Sequence, residues 1–156
     1  MLYGIHSIQR DDDIAVVYVK HPPEIPGVAY MTFGSLADGD VDVDIILQTA
    51  SVGHGNDLIF TVHAQDMERA REILTEQFRV HPETVIEIDP TAVKLSVSGE
   101  GMQGKPGVAA KVFKCLWDAD VRILNISTSE IKICMLIPKR DADRAYKALL
   151  DGFEIV

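Results

Sequence analysis

Tryptophan occurs once and cysteine twice in 156 residues, aromatic side chains make up 6% of the chain, and acidic residues outnumber basic ones 24 to 15. Each scarcity excludes something. Cys115 and Cys134 fall inside a helical and a strand-like segment, with no CxxC or other ligand spacing. They read as buried free thiols in a reducing compartment rather than a disulfide framework or a zinc site. A formal net charge of -9 leaves no electrostatic footprint for nucleic acid or an anionic membrane, and is neutral toward small zwitterions. No apolar run approaches the roughly 20 residues that span a bilayer. The start, MLYGIHSIQRDDD, lacks the basic opening and long apolar centre of a signal peptide, so a cytoplasmic protein is expected.

Catalytic signatures are missing too: there is no GxxxxGK followed by Ser or Thr, no GxSxG and no HExxH. His6, His21, His54, His63 and His81 share no spacing and read as surface or turn residues, so neither a metal nor a cofactor is expected. Asp42 and Asp44 form a carboxylate pair on one strand face, but no nucleophile or metal-binding partner accompanies them. The chain does not read as an enzyme by itself.

What is present is a repeat. Ile14–Val19 is a β-branched run suited to a buried strand. Prolines then interrupt His21–Pro26, and from Gly27 apolar residues recur at a helical period until Asp38-Gly39-Asp40. Strands are expected over Val41–Gln48 and Leu58–Val62 about a glycine-containing turn, Ser51–Asn56. An amphipathic helix follows over Asp66–Phe78, then a strand at Thr84–Ile88 and a boundary at Asp89-Pro90. The second half reads the same way: strands at Val93–Val97, Val121–Ser127, Ile131–Ile137 and Phe153–Val156, with helices at Gly107–Trp117 and Asp141–Leu150. Pro26, Gly27, Val28, Ala29 and Phe33 align with Pro106, Gly107, Val108, Ala109 and Phe113. Leu36, Asp38, Asp40, Val41 and Ile46 align in turn with Leu116, Asp118, Asp120, Val121 and Ile126. Roughly half the positions from Pro26 to Ile46 match, which makes this an internal duplication.

A duplicated βαββαβ pattern predicts an α+β protein of two tandem ferredoxin-like modules, each an antiparallel sheet with its helices on one face. Their expected extents are residues 1–88 and 89–156, and the first ten residues are free to add an edge strand to either sheet. Uncovered sheet edges and faces predict at least a dimer. Each Pro-Gly-Val-Ala opens a helix whose free N–H groups suit a carboxylate. The acidic pair Asp42 and Asp44 suits an ammonium group, so a free amino acid is a candidate ligand. Ser127, Thr128 and Ser129 interrupt an otherwise apolar strand pair; they either satisfy a tight hairpin or line a polar pocket.

VSGEGMQGKPGVAAKVF with NISTSEIKICMLI resembles the second of the tandem ACT modules that end aspartate kinases. PPEIPGVAYMTFGSLADGDVDVDIILQTAS with NDLIFTV resembles the first. The resemblance covers nearly the whole chain in order. It implies an allosteric regulatory region that binds end-product lysine, threonine or both at an ACT–ACT interface, for feedback inhibition. The implied partners are a second copy of the chain and an aspartate kinase catalytic domain or subunit. Some members of the family make this segment as a separate small subunit, and no kinase phosphate-site signature is present here. Carried onto this sequence, the ligand residues are Glu24, Ile25, Pro26, Gly27, Val28, Ala29, Asp42, Val43, Asp44, Gln48, Met102, Ser127, Thr128, Ser129 and Glu130. Arg122 and Leu124 depart from the residues usual at their positions, which implies an impaired second pocket and puts the ligand at the acidic first one. Glu24, Asp42 and Asp44 together favour lysine over threonine. The rival expectation is a ligand-free module that only holds subunits together.

Overall fold

The computed structural model describes residues 2–49 and 56–155. Two compact units emerge, one spanning Asp13–Pro90 and the other joining the residues up to Asp12 to those from Thr91 onward.

In the Asp13–Pro90 unit the order is β2 (Ile14–Lys20), α1 (Val28–Asp38), β3 (Val43–Gln48), β4 (Leu58–His63), α2 (Met67–Gln77) and β5 (Val85–Asp89). The strands form one antiparallel sheet in the order β3-β4-β2-β5. Alternation along β2 turns Ala15, Val17 and Val19 toward Leu36 of α1 and Leu74 of α2, with Phe60 and Phe78 completing a core that excludes water. Phe33 packs edge-on against Phe60 at 5.1 Å. The helix α1 ends where expected, because Gly39 and the left-handed Asp40 (φ 60°) turn the chain. Arg69 fixes that turn by donating to the Asp40 carbonyl at 2.7 Å. The strand expected from Val41 starts at Val43, and its register shifts between Val43 and Ile46. At that bulge the Ile45 N–H donates to the buried Thr61 hydroxyl at 3.1 Å, so the irregularity leaves no orphan donor there. The turn expected at Ser51–Asn56 lies, apart from Asn56, outside the described residues.

The other unit runs β1 (Ser7–Asp11), β6 (Ala92–Ser98), α3 (Val108–Asp118), β7 (Asn125–Thr128), β8 (Lys132–Pro138) and α4 (Ala142–Gly152). Its sheet order is β1-β6-β8-β7, so β1 occupies the position that β5 holds in the first sheet. One expectation changes as a result. The strand expected at Phe153–Val156 is a turn over its described part: Phe153 is fully buried, its N–H closes α4 on the Leu149 carbonyl, and Glu154 is left-handed (φ 56°). The first ten residues, free to join either sheet, join this one, and the pairing runs on into the acidic segment, with Arg10 opposite Leu95 and Asp11 opposite Lys94. Arg10 makes that possible by forking onto Asp12 and Asp143, both at 2.6 Å. Charged residues are well tolerated on an edge strand. The chain reaches β1 through a 3-10 turn, Leu2–Gly4, crossing another at Glu100–Met102. A Cβ on Gly101 would stand 2.4 Å from the Gly4 Cα, so only glycine allows this crossing.

Candidate ligand site

Each unit has two distinct ends, because a helix and the strand that follows it run in opposite directions. With 11 residues, α1 and α3 are each about 16 Å long. Their N-termini stand at the end where β4 and β8 begin, and their C-termini stand where β3 and β7 begin.

At the N-terminal end both helices start from a left-handed glycine, Gly27 (φ 90°) and Gly107 (φ 97°). The first helical bonds run from Met31 to the Gly27 carbonyl and from Lys111 to the Gly107 carbonyl. The N–H groups of residues 28–30 and 108–110 therefore have no acceptor within their helices and carry the positive end of the dipole. In the second unit this end opens a cleft of about 330 Å³, within the usual range for small-ligand sites. Met102, Val108, Ala109 and Ile133 form its apolar floor; Lys105, Thr128, Ser129 and Glu130 supply the polar groups. Glu130 accepts a hydrogen bond from Gln103 at 3.1 Å, and Lys105 makes no ion pair among the described residues. A cation, a carboxylate and a helix N-terminus thus surround one apolar floor.

The hydroxyl run serves both uses considered for it. Ser129 closes the hairpin, its N–H donating to the Lys132 carbonyl at 2.8 Å and its Oγ accepting from the Ile131 N–H at 3.4 Å. Thr128 and Ser129 also line the cleft. Ser127 does not: it pairs with Cys134, whose neighbours Ile133 and Met135 face the helices, so Ser127 stands on the other side of the sheet. Lys105, Gln103, Ala109 and Ile133 were not among the expected ligand residues. The glycine-rich turn GMQGKPG was the available signal for Lys105.

In the first unit, Glu24, Ile25, Pro26, Gly27 and Ala29 are exposed at the corresponding end and Val28 is buried beneath them. Gln48 lies at this end as well, opposite Leu58. Thr49 and Asp57 tie the two strands together, the Thr49 N–H donating to the Asp57 carbonyl at 2.9 Å. The Asp57 carboxylate accepts the His21 N–H, also at 2.9 Å. Asp42, Val43 and Asp44 sit at the far end, where Val43 faces Val62 and Asp42 approaches His63 Nε2 at 3.8 Å. Glu24 and Asp42 thus do not converge within one module. Arg122 and Leu124 also stand at the far end, ahead of β7, and neither lines the cleft. Among the described residues no group of three or more His, Cys, Asp or Glu is placed to hold a metal ion. No described helix is long and apolar enough to cross a membrane.

Fold and cleft together define a tandem of ferredoxin-like modules with a small-molecule-sized cleft at a helix N-terminus. The chain belongs to the ACT domain family, whose profile matches residues 22–78 and 95–153. An aspartokinase of Corynebacterium efficiens is 37% identical over 96% of this chain, which spans 36% of that relative's length. A crystal structure of aspartokinase alpha and beta subunits contains a chain 36% identical to this one, with a TM-score of 0.86 and coverage of 97% of this chain and 99% of that one. The ligand-free regulatory subunit of Thermus thermophilus aspartate kinase is 28% identical, with a TM-score of 0.89 and coverage of 96% and 99%. What the chain matches is therefore the regulatory part of aspartokinases, about a third of the curated relatives' length.

Proposed function

We propose that this chain senses an end product of aspartate-derived amino-acid synthesis, lysine and/or threonine, and passes the signal to an aspartokinase as feedback inhibition. The observation that carries this reading is the helix N-terminal end of each module, with its free N–H groups and, in the second unit, a ready cleft of about 330 Å³. The α-carboxylate belongs at the helix N-terminus, and the α-ammonium belongs among Glu130 and the hairpin hydroxyls.

The site is completed by a second copy of the chain. The strand β3 is a sheet edge and exposes Ile46. When an edge strand pairs with its own copy in antiparallel fashion, the start of one meets the end of the other. Asp42 and Asp44 of one copy would then close over Glu24–Ala29 and Gln48 of the other, which supports the ACT–ACT interface as the ligand's place. A first-module site assembled in this way gathers carboxylates and favours lysine. An effector bridging two copies also meets the requirement of allostery, since it binds one arrangement better than another.

Isothermal titration with lysine and threonine, alongside sedimentation, is the test. Saturable heat with one or both and a ligand-linked dimer are expected. No heat and no thermal shift with any proteinogenic amino acid would leave a purely structural module instead.

A further inference from the structure

The far end of the second module carries side chains that its repeat does not. Trp117, the sole tryptophan of the chain, closes α3 with 83% of its surface exposed, where the first module has Ala37. Arg122 stands where the first module has Asp42. Aligning Asp141 and Arg144 with Asp66 and Arg69 sets Arg140 against Gln65. Aspartate to arginine is two units of charge and glutamine to arginine a third, so these two positions alone make this end three charges more positive than its counterpart, in a chain of net charge -9. These residues line one open groove of about 620 Å³.

The third arginine there serves as an internal control. Arg144 donates to the carbonyls of Ala119 and Asp120 at 2.6 and 2.9 Å and pairs with Asp141 at 2.9 Å. Its counterpart Arg69 donates to the Asp40 carbonyl at 2.7 Å and pairs with Asp66 at 3.7 Å. That latch fixes the helix turn in both modules and accounts for one arginine. Arg122 and Arg140 make no hydrogen bond or ion pair among the described residues, and the fold of the repeat is made without them and without Trp117. A solvent-facing tryptophan flanked by unpaired guanidiniums is the composition of an interface hot spot.

We infer that the groove formed by Trp117, Arg122 and Arg140 is the docking surface for the catalytic part of an aspartokinase, which meets it through carboxylates around an apolar socket. The inference rests on the regulatory reading above for the identity of the partner. Two observations select that occupant. The groove's three arginines outnumber its two aspartates, Asp120 and Asp141, on an acidic chain, which calls for a carboxylate-bearing partner. The curated relatives, moreover, carry well over half their length outside the part matched here, so a catalytic partner of that kind is what this region accompanies. The groove also lies at the opposite end of α3 from the zwitterion cleft, so one module can hold an effector and a partner together.

The test is to co-express this chain with the catalytic part of the source organism's aspartokinase and footprint the purified assembly with hydroxyl radicals, reading the Trp117 peptide by mass spectrometry. Oxidation of Trp117 should fall severalfold in the assembly. Trp117→Ala, and separately the Arg122→Glu/Arg140→Glu pair, should weaken association at least tenfold, while lysine and threonine titrations of the same variants match the parent chain. Failure to associate, equal oxidation of Trp117 in both samples, or variants that associate normally would overturn the proposal. Protection of Trp117 on concentrating this chain alone would overturn it as well, by making a second copy the occupant. Effector binding decides the other question separately: a docked chain with no effector response would sink the sensing reading and leave this one standing.

Discussion

Replacing Ile8 by alanine should cost the second unit a large part of its stability, because β1 is structural there rather than a tail. Ile8 is 7% exposed, sits opposite Val97, and packs in one cluster with Leu95, Met135 and Leu149. Ile8→Ala removes three carbons from that cluster. At ~0.8 kcal/mol per buried carbon, the transfer cost alone is about 2.4 kcal/mol. A residual cavity raises that toward 4 kcal/mol, while relaxation of an edge strand pulls it back, so about 2–3 kcal/mol is expected. A unit of roughly 80 residues has only ~4–12 kcal/mol of stability in total. Urea denaturation followed by circular dichroism measures the loss, and hydrogen exchange locates it. A destabilisation of about 2 kcal/mol accelerates globally limited amides about 30-fold, and the effect should reach β6, β8 and α4 as well as β1. A loss below about 0.5 kcal/mol, or acceleration confined to β1 alone, would refute the claim that this strand completes the sheet.

Gly107→Ala meets no atom within 4 Å but forces φ 97° on an alanine; about 1 kcal/mol of stability should go, seen as a lower Tm, together with weaker effector binding in calorimetry. Asp12 accepts two hydrogen bonds from Arg10, at 2.6 and 2.7 Å, which hold its carboxyl below the usual value. A depressed acid adds stability above its unfolded pKa of about 3.9 that is lost as pH falls through the folded value. The small gap between parent and Arg10→Met in urea midpoints should therefore close below pH 4; a gap unchanged down to pH 2 would contradict it. Burial, with Gly152 directly against the sulfur, pushes the Cys115 thiol up, so a disulfide reagent at pH 8 should modify it far more slowly in the native chain than in urea. Asp42→Asn should weaken lysine binding about tenfold if a second copy's acid closes the site, with no change in circular dichroism.

The repeat was legible because its matched positions are the ones physics constrains most narrowly. Gly27 and Gly107 are read from sequence because both helices must begin in left-handed geometry, and Leu36 and Leu116 because both are fully buried. The strand swap was not legible. IHSIQRD and GFEIV are both short and half polar, and nothing local says that β1 crosses to the second sheet while Phe153 remains a plug in the core. That information lies in long-range pairings, Ser7 with Ser98 through Asp11 with Lys94, which a one-dimensional period cannot carry. The candidate site was half legible for a related reason. The residues around Pro-Gly-Val-Ala gather at one helix start, whereas Asp42 stands at the other end of its own module. Sequence proximity to a helix suggested spatial proximity to that helix's start, whereas the intervening 11 residues of α1 carry the chain about 16 Å away.

That displacement changes what the duplication can mean. If every ligand-contacting residue lay at one end of one module, two copies would simply give two independent pockets. Because Glu24 and Asp42 sit at opposite ends, a site that uses both exists only when modules from two copies pair, and effector affinity is then linked to association. The second module departs from the first at the same far end, where Asp42 is replaced by Arg122 and Ala37 by Trp117. A charge reversal there would spoil an ammonium site in the second module while leaving its own cleft, a helix length away, unaltered. Divergence of the repeats has thus changed the face each module offers to others and kept the turn, the latch arginine and the core that fold it. The prediction that follows is asymmetric. Asp42→Arg, which copies the second module's charge into the first, should abolish lysine-linked dimerisation in sedimentation, whereas Arg122→Asp should leave it intact.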